Sequence, residues 1–193
     1  MIKFYTNREL AQKFGINLAK WKRWSREFLP PDPLGGLQSG FARQYTLKDA
    51  FRVYLAGFLV SELKFSIPAA KEVIDELTDW LESEEFLTNH DLFHRSTKNS
   101  AVPIERYKVI ISQKKNNKGA SQAEFEYQIR GIISNTPDLY EGTPIRVERY
   151  VETLIPPSDD KVALPDTGSS QTLNLTEIIE YFMNCLNTPS PAD

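Results

Sequence analysis

The strongest constraint on the fold lies near the start of the chain, where two helix starts follow each other closely. Thr6-Asn7-Arg8-Glu9 has the spacing of a capping box, so a helix is expected to begin at Thr6. Gly15 can end that helix in a left-handed conformation, and Asn17 is a good N-cap for a second helix. Two helices joined by so short a turn have helix-turn-helix spacing.

The second helix separates apolar from basic side chains. At about 100° per residue, one arc is predicted to face the core; it carries Leu18, Trp21, Trp24, Ser25 and Phe28. The other arc carries four cations, opposed only by Glu27, and these are Lys20, Lys22, Arg23 and Arg26. Such a surface can neutralise phosphates and reach guanine edges in a major groove. An ordinary solvated cationic face is the alternative interpretation.

The next segment predicts a wing. Pro30-Pro31 stops the second helix. Gly35-Gly36 and Gly40 let the chain fold back on itself. A short alternating strand then follows over Phe41-Ala42-Arg43-Gln44-Tyr45. A helix-turn-helix followed by a wing favours DNA binding over a merely solvated surface.

In this order, the motifs resemble the MerR-type winged helix-turn-helix regulators over roughly residues 4–81. The resemblance lies in Tyr5-Thr6, Glu9-Leu10-Ala11, Gly15-Ile16-Asn17, Trp21-Lys22-Arg23-Trp24, the prolines, Gly40-Phe41 with Arg43 and Tyr45, and Phe65-Ser66-Ile67. It implies that Lys22, Arg23 and Arg26 enter the major groove. It also implies that Arg43 and Tyr45 on the wing hold the DNA backbone. The long dimerising helix of that family is not evident here.

Charge is distributed unevenly along the chain. The net charge is −3, but residues 1–54 hold ten Lys and Arg against four Asp and Glu, which gives about +6. The remaining residues hold thirteen against twenty-two, which gives about −9. Because charges act locally at physiological salt, the acidic total does not argue against DNA binding by the basic part.

Several classes of protein are disfavoured by composition. No apolar run approaches the length of a membrane span, and no secretion signal is evident, so a cytoplasmic chain is expected. Cys185 is the single cysteine, which excludes a multi-cysteine metal site within one chain. His90 and His94 are four apart, but no third ligand accompanies them, so linker histidines are the preferred interpretation and no metal is predicted. No cofactor motif or catalytic motif is found, and an enzyme is not predicted.

The remainder of the chain changes character twice. Two capped helices are predicted after the wing, starting at Thr46 and Ser66. Three strands of an antiparallel sheet are then predicted over about residues 105–115, 125–133 and 144–155, followed by a mobile loop over 158–171. The last helix is amphipathic and carries Leu175, Ile178, Ile179, Phe182, Met183 and Leu186. It needs a surface to cover, either the hairpin of its own chain or that of a second copy.

The sequence therefore predicts an α+β fold with two domains. Residues 1–86 form a winged helix-turn-helix, 87–103 a linker, 104–187 a small antiparallel sheet with a C-terminal amphipathic helix, and 188–193 a disordered tail. The predicted function is a sequence-specific DNA-binding transcriptional regulator. The alternative is an excisionase-like or phage-type DNA-architectural adaptor whose second module binds a protein. A third interpretation has the basic helix docking on an acidic protein.

Partners follow from the same interpretation. One winged unit makes few base contacts, so a homodimer through residues 104–187 and a roughly palindromic site in double-stranded DNA are expected. A small-molecule effector remains an open alternative, held between Tyr107, Phe125, Tyr127 and Phe182. The simpler interpretation is that these aromatic residues are the core of the second module.

Overall fold

The computed structural model describes residues 4–32, 43–84, 86, 104–113, 125–155 and 169–188. Within these ranges, five helices and two antiparallel sheets form the predicted α+β fold. The chain divides into two compact units. The first unit draws on Met1–Asp79 and Ile178–Asp193, and the second on Trp80–Glu177. The first unit is therefore built from two parts of the sequence that lie far apart.

Helix α1 comprises Asn7–Lys13, and its ends follow the predicted signals. The Thr6 hydroxyl accepts a hydrogen bond from the backbone N–H of Glu9 at 3.2 Å. Gly15 has a φ of 63°, a left-handed conformation that a residue without Cβ adopts at little cost. The glycine thus turns the chain at the end of α1 and lets the next helix start at once.

Helix α2 comprises Leu18–Phe28 and has one buried face. The side-chain oxygen of Asn17 accepts hydrogen bonds from two backbone N–H groups, at 2.9 and 3.3 Å, and so caps the helix. The buried face consists of Trp21, Trp24, Ser25 and Phe28. The predicted core face is confirmed at these positions, whereas Leu18 is only half-buried.

A short two-stranded sheet joins the beginning of the chain to the third helix. Strand β1 is Tyr5–Thr6, and it pairs antiparallel with strand β2, Gln44–Tyr45. Helix α3, Leu47–Ser61, follows directly. Thr46 and Asp49 form a full capping box, in which each side chain accepts a hydrogen bond from the backbone N–H of the other residue. The predicted start of this helix is confirmed.

Helix α4 comprises Ile67–Ser83, and Arg52 of α3 ties it to α2. The Arg52 guanidinium donates to the backbone oxygen of Phe28 at 2.8 Å and to the Thr78 hydroxyl at 2.9 Å. It also forms an ion pair with Asp75. Because the carbonyls at the end of a helix lack partners within it, the bond to Phe28 satisfies one of them. One side chain thereby fixes the relative positions of three helices.

Helix α5 comprises Leu175–Asn187, and its residues from Ile178 onward belong to the first unit. Phe182 is fully buried there among aromatic rings. Its ring centroid lies 5.2 Å from that of Phe14, 5.1 Å from that of Phe51 and 5.5 Å from that of Tyr54. The prediction of a helix with one apolar face is correct, but the surface that it covers is made by α1 and α3.

Lys13 holds the end of α5 by a second kind of contact. Its ammonium group donates to the backbone oxygens of Leu186 at 3.1 Å and Thr188 at 2.7 Å. The C-terminal end of a helix carries a partial negative charge and unpaired carbonyls, so a cation is favourable at this position. The predicted module of residues 104–187 is corrected accordingly, because the larger part of its helix completes the first unit.

The second unit contains a four-stranded antiparallel sheet. Its strands are β3, Arg106–Gln113; β4, Phe125–Tyr140; β5, Thr143–Ile155; and β6, Ser169–Asn174. Their order across the sheet is β5-β4-β3-β6. Three of these strands were predicted. The fourth, β6, begins within the segment 158–171 that was predicted to be a mobile loop, and it pairs with β3.

Strands β4 and β5 extend beyond the rest of the sheet as a two-stranded ribbon. β3 reaches only as far as Ile132 on β4. A bulge lies between Ile132 and Ser134, after which β4 pairs with β5 alone. The tip is formed by Glu141 and Gly142, both with positive φ, of 48° and 80°, which suits a two-residue hairpin turn. We call the paired residues 134–149 the β arm.

Some predictions fall outside the described residues. These are the wing glycines, the linker 87–103 with its two histidines, the turn over residues 116–119, and the tail beyond Thr188.

A close approach between α2 and α3 gives a first testable prediction. A Cβ on Gly57 would lie 2.3 Å from ring carbons of Trp24. Gly57→Ala is therefore expected to lower the free energy of unfolding by about 1–3 kcal/mol through overpacking, although alanine favours a helix. Chemical denaturation measures the change. In a Trp24→Leu background the same substitution should cost less; an equal cost in both backgrounds would contradict the close contact.

Tyr54 gives a second prediction, which concerns alkaline pH. Burial raises the pKa of its hydroxyl above the ordinary value of 10.0. A raised pKa in the folded state means that stability is complete below pH 10 and is lost as the pH rises past it, because the unfolded chain ionises first. The denaturation midpoint should therefore be nearly constant up to about pH 9 and lower at about pH 11, and the decrease should be smaller in Tyr54→Phe. Equal decreases of the midpoint in the wild type and in Tyr54→Phe would show that another group causes the loss of stability.

Candidate nucleic-acid interface

The solvent-facing side of α2 is the candidate interface. All four predicted cations are exposed on it, namely Lys20, Lys22, Arg23 and Arg26. The opposite side of the helix is anchored by Trp21, with no exposed surface, and by Phe28, with 2%. Because the buried side fixes the rotation of the helix, the cations cannot turn inward. The structure thus exposes the four cations of α2 that the sequence analysis selected.

Lys20 is further oriented by an aromatic ring. Its ammonium nitrogen lies 4.7 Å from the centroid of the Trp24 ring. A cation over an indole face is attracted by the ring's electron density. Trp24 is itself held against α3, so this contact places Lys20 at the N-terminal end of the cationic surface.

Arg43 lies on the segment just before β2 and faces the end of α2. Its guanidinium donates to the backbone oxygen of Pro30 at 2.9 Å and lies 5.7 Å from the centroid of the Tyr45 ring. The side chain is half-buried, so it has a structural role in holding the segment after α2. Its remaining N–H groups leave donors for an anion.

Tyr45 has a different role from the one predicted. It is fully buried, with 0% of its surface exposed. Its hydroxyl donates to the side-chain oxygen of Asn7 at 2.5 Å. An amide oxygen only accepts, so the Ser25 hydroxyl, at 2.6 Å, must donate to Tyr45 in turn. The predicted contact between Tyr45 and the DNA backbone is corrected: this residue joins α1, α2 and β2 in the core.

The protonation of Tyr45 agrees with that role. Burial raises the pKa of the hydroxyl, while the hydrogen bond with Ser25 and the charge of Arg43 act in the opposite direction. A phenol with a pKa at or above its ordinary value is neutral at physiological pH, so Tyr45 can serve as the donor to Asn7. Tyr45 therefore positions the interface from beneath it.

A groove of about 450 Å³ runs beside the C-terminal half of α2. It is lined by Asn7, Lys22, Ser25, Arg26, Leu29, Pro30, Pro31, Asp32, Arg43 and Tyr45. Three of these residues are cations and one is an acid, so the side-chain charge around the groove is net positive, while most of its lining surface is apolar. Sequence reasoning did not find it, because Asn7 and Arg43 reach α2 only through the pairing of β1 with β2.

The aromatic residues predicted as an alternative ligand site are divided between the two units. Phe182 belongs to the first unit, while Tyr107, Phe125 and Tyr127 belong to the second. All four are buried. Each set thus contributes to the core of its own unit, which corresponds to the simpler interpretation.

The described ranges also bear on metal binding and on membrane insertion. They contain no group of three His, Cys, Asp or Glu side chains arranged to hold a metal ion. They also contain no helix with the length and apolarity needed to cross a membrane. Comparison of the chain with protein-family models, curated proteins and solved structures gives no match.

Proposed function

We propose that this chain is a sequence-specific double-stranded-DNA-binding transcriptional regulator of the winged helix-turn-helix type, with α2 lying in the major groove. The observation that carries the proposal is a helix with four exposed cations whose other face is locked into a core. A major groove admits one α-helix, and arginine and lysine are the side chains that most often read guanine there. A rigid helix presents such side chains in a fixed register.

The roles divide by position on the surface. Lys22, Arg23 and Arg26 are assigned to base edges and nearby phosphates. Lys20 and Arg43 are assigned to the DNA backbone, and Tyr45 supports the surface without touching DNA. The groove beside α2 offers a place for one phosphate group. The proposal assigns no catalytic step.

The charge of the first part of the chain supports the same proposal. Residues 1–54 carry about +6, whereas the rest of the chain carries about −9. Within a Debye length of about 8 Å at physiological salt, a phosphate at α2 is influenced mainly by its near neighbours.

The proposal includes two copies of the chain. A single helix and its flanking contacts read a short half-site, and specific affinity is reached by joining two of them. We therefore assign the dimer contact to the second unit and the DNA contact to α2 of the first.

The deciding experiment is a selection from random duplex DNA with the full-length protein at moderate salt, read by sequencing. An enriched inverted repeat is the expected result, with log affinity falling linearly against log salt concentration. Salt-sensitive binding without enrichment would overturn sequence-specific reading in favour of an architectural adaptor. Absence of binding would overturn the DNA proposal altogether.

Arg23 provides a prediction on specificity. Arg23→Ala should reduce the preference for the selected sequence by about ten- to a hundredfold, because a bidentate contact to guanine contributes about 1–3 kcal/mol of discrimination. Competition binding against a scrambled duplex measures it. Lys71→Ala removes an exposed cation of α4 in the same unit and is the matched control. Equal losses in the two variants would show that Arg23 acts only through general charge.

A further inference from the structure

Strand β5 is a long edge of the four-stranded sheet. It runs for thirteen residues, Thr143–Ile155, and β4 is its one neighbour among the described strands. Apart from Pro144, which has no N–H, its outer side therefore presents a row of backbone N–H and C=O groups without a sheet partner in the described part of the chain. A long edge strand of this kind is a template for pairing with another strand. Soluble proteins ordinarily shorten or cover such edges.

The same edge exposes apolar side chains. Ile145 is 37% exposed, Tyr150 42% and Val151 41%. The β arm beside them has neither face against the described core, and an isolated two-stranded ribbon is marginally stable in water. Leu139 and Tyr140 near its tip are more exposed still, at 67% and 64%. An arm with this composition gains stability from a partner.

Only one register lets a second copy of the same strand overlap this edge over its full length. Two antiparallel copies related by a two-fold axis through Arg149 overlap along the whole of Thr143–Ile155, because Arg149 is its central residue. Arg146 then faces Glu152 of the partner strand, and Val147 faces Val151, each twice by symmetry. Moving the axis by one residue to Tyr150 places Glu148 opposite Glu152, which is unfavourable.

The charges needed for this register are available. Arg146 is exposed and makes no ion pair with a described residue. Glu152 accepts a hydrogen bond from Arg130 on one oxygen, at 2.9 Å, and its second oxygen leaves room for another donor. Each Arg146 can therefore bind a Glu152 that is already held in place. The pair of Arg149 side chains on the axis is the one unfavourable contact.

We infer that the outer edge of β5 is a homodimer interface, where two chains pair antiparallel about Arg149 to form one eight-stranded sheet. This dimer deepens the proposed function, because it supplies the two copies of the chain that the reading of two DNA half-sites requires. Its biological purpose therefore rests on that proposed function. The contact itself follows from the edge, the exposed apolar residues and the charge pattern. It needs no DNA and is tested without it.

The first test is sedimentation equilibrium of the full-length protein and two variants without DNA. Arg146→Glu should raise the dimer dissociation constant about tenfold or more, since two attractive pairs become repulsive. Arg149→Thr should lower it, because the repulsion on the axis is removed and threonine suits a strand. A monomeric wild type at tens of micromolar, or equal effects of both variants, would overturn the inference.

The second test traps the register. In a Cys185→Ser background, Arg149→Cys should form a disulfide-linked dimer under mild oxidation, because residues facing each other across antiparallel strands have Cα atoms about 4.5–5.5 Å apart. Ile145→Cys and Thr153→Cys should not link to themselves, since each faces the other position. Preferential linking at 145 or 153, or no linking at 149, would overturn this register.

The two proposals fail in different ways. A dimer in solution that binds no duplex would leave the β5 interface standing and remove the DNA function. A monomer that still selects a single half-site would remove the β5 interface and leave the DNA function standing.

Discussion

Trp21→Ala is expected to lower the free energy of unfolding by about 3–5 kcal/mol, the range for truncating a large buried aromatic side chain. The Trp21 ring stacks on Phe14 at a centroid distance of 5.8 Å and meets the edge of Tyr45 at 6.1 Å. It is fully buried, so the substitution leaves a cavity between α1, α2 and β2. This is a large fraction of the 5–15 kcal/mol typical of a domain. Urea denaturation followed by circular dichroism measures the loss.

Two further variants separate packing from other causes. Trp21→Phe should cost far less than Trp21→Ala, because a ring remains and the indole N–H has no hydrogen-bond partner among the described residues. Lys22→Ala, next along the helix and exposed, should leave stability nearly unchanged while it weakens DNA binding. A Trp21→Ala protein as stable as the wild type would refute the assigned core.

Phe182→Ala is expected to destabilise the first unit by a similar amount, about 3–5 kcal/mol. The residue lies far along the chain from α1 and α3, yet its ring fills the space between Phe14, Phe51 and Tyr54. Its loss should weaken DNA binding indirectly, because α1 supports α2. Because Trp21 and Trp24 belong to this unit and Trp80 belongs to the second, denaturation monitored through tryptophan fluorescence in a Trp80→Phe background reports on the first unit.

Asn184→Ala is the matched control on the same helix, since its side chain is exposed. It should leave the unfolding midpoint nearly unchanged. If Phe182→Ala altered the second unit alone, with no change in the signal of the first, the assignment of α5 would be wrong.

Local signals in the sequence were sufficient for the first three helices. Caps act over three or four residues, so Thr6, Asn17 and Thr46 could be read directly. The buried and exposed sides of α2 followed from its period, and with them the four exposed cations. The left-handed conformation of Gly15 was likewise predictable, because it depends on the absence of a side chain.

Features that depend on distant residues were not predictable. The sequence shows that α5 has an apolar face, which includes Phe182 and must be buried. Tertiary packing decides which surface this face covers. The position of Tyr45 was equally hard to predict. An aromatic residue near an arginine is typical of a wing that binds phosphate. Only the pairing of β2 with β1 places Tyr45 in the core. Its hydroxyl then meets Asn7 and Ser25, which lie on two different helices.

The β4 half of the β arm was missed for another reason, whereas its β5 half lies almost wholly within the strand predicted over 144–155. Strand prediction relies on alternation between a buried and an exposed face. Beyond Ile132 neither face of β4 is buried, and the segment Ser134-Asn135-Thr136-Pro137-Asp138 has the composition of a turn. Its strand conformation comes from pairing with β5 instead. The strand β6 was missed similarly, as Ser169-Ser170 suggested a loop.

The order in which the chain is synthesised has a consequence for the first unit. Residues 4–79 leave the ribosome early, but the aromatic ring that completes their core arrives only after the whole second unit has been translated. Contacts across so long a separation form slowly. The cationic helix should therefore acquire its full rigidity only late, after translation has passed Phe182, and a chain cut short before that point should be a weak DNA binder and a ready substrate for proteases.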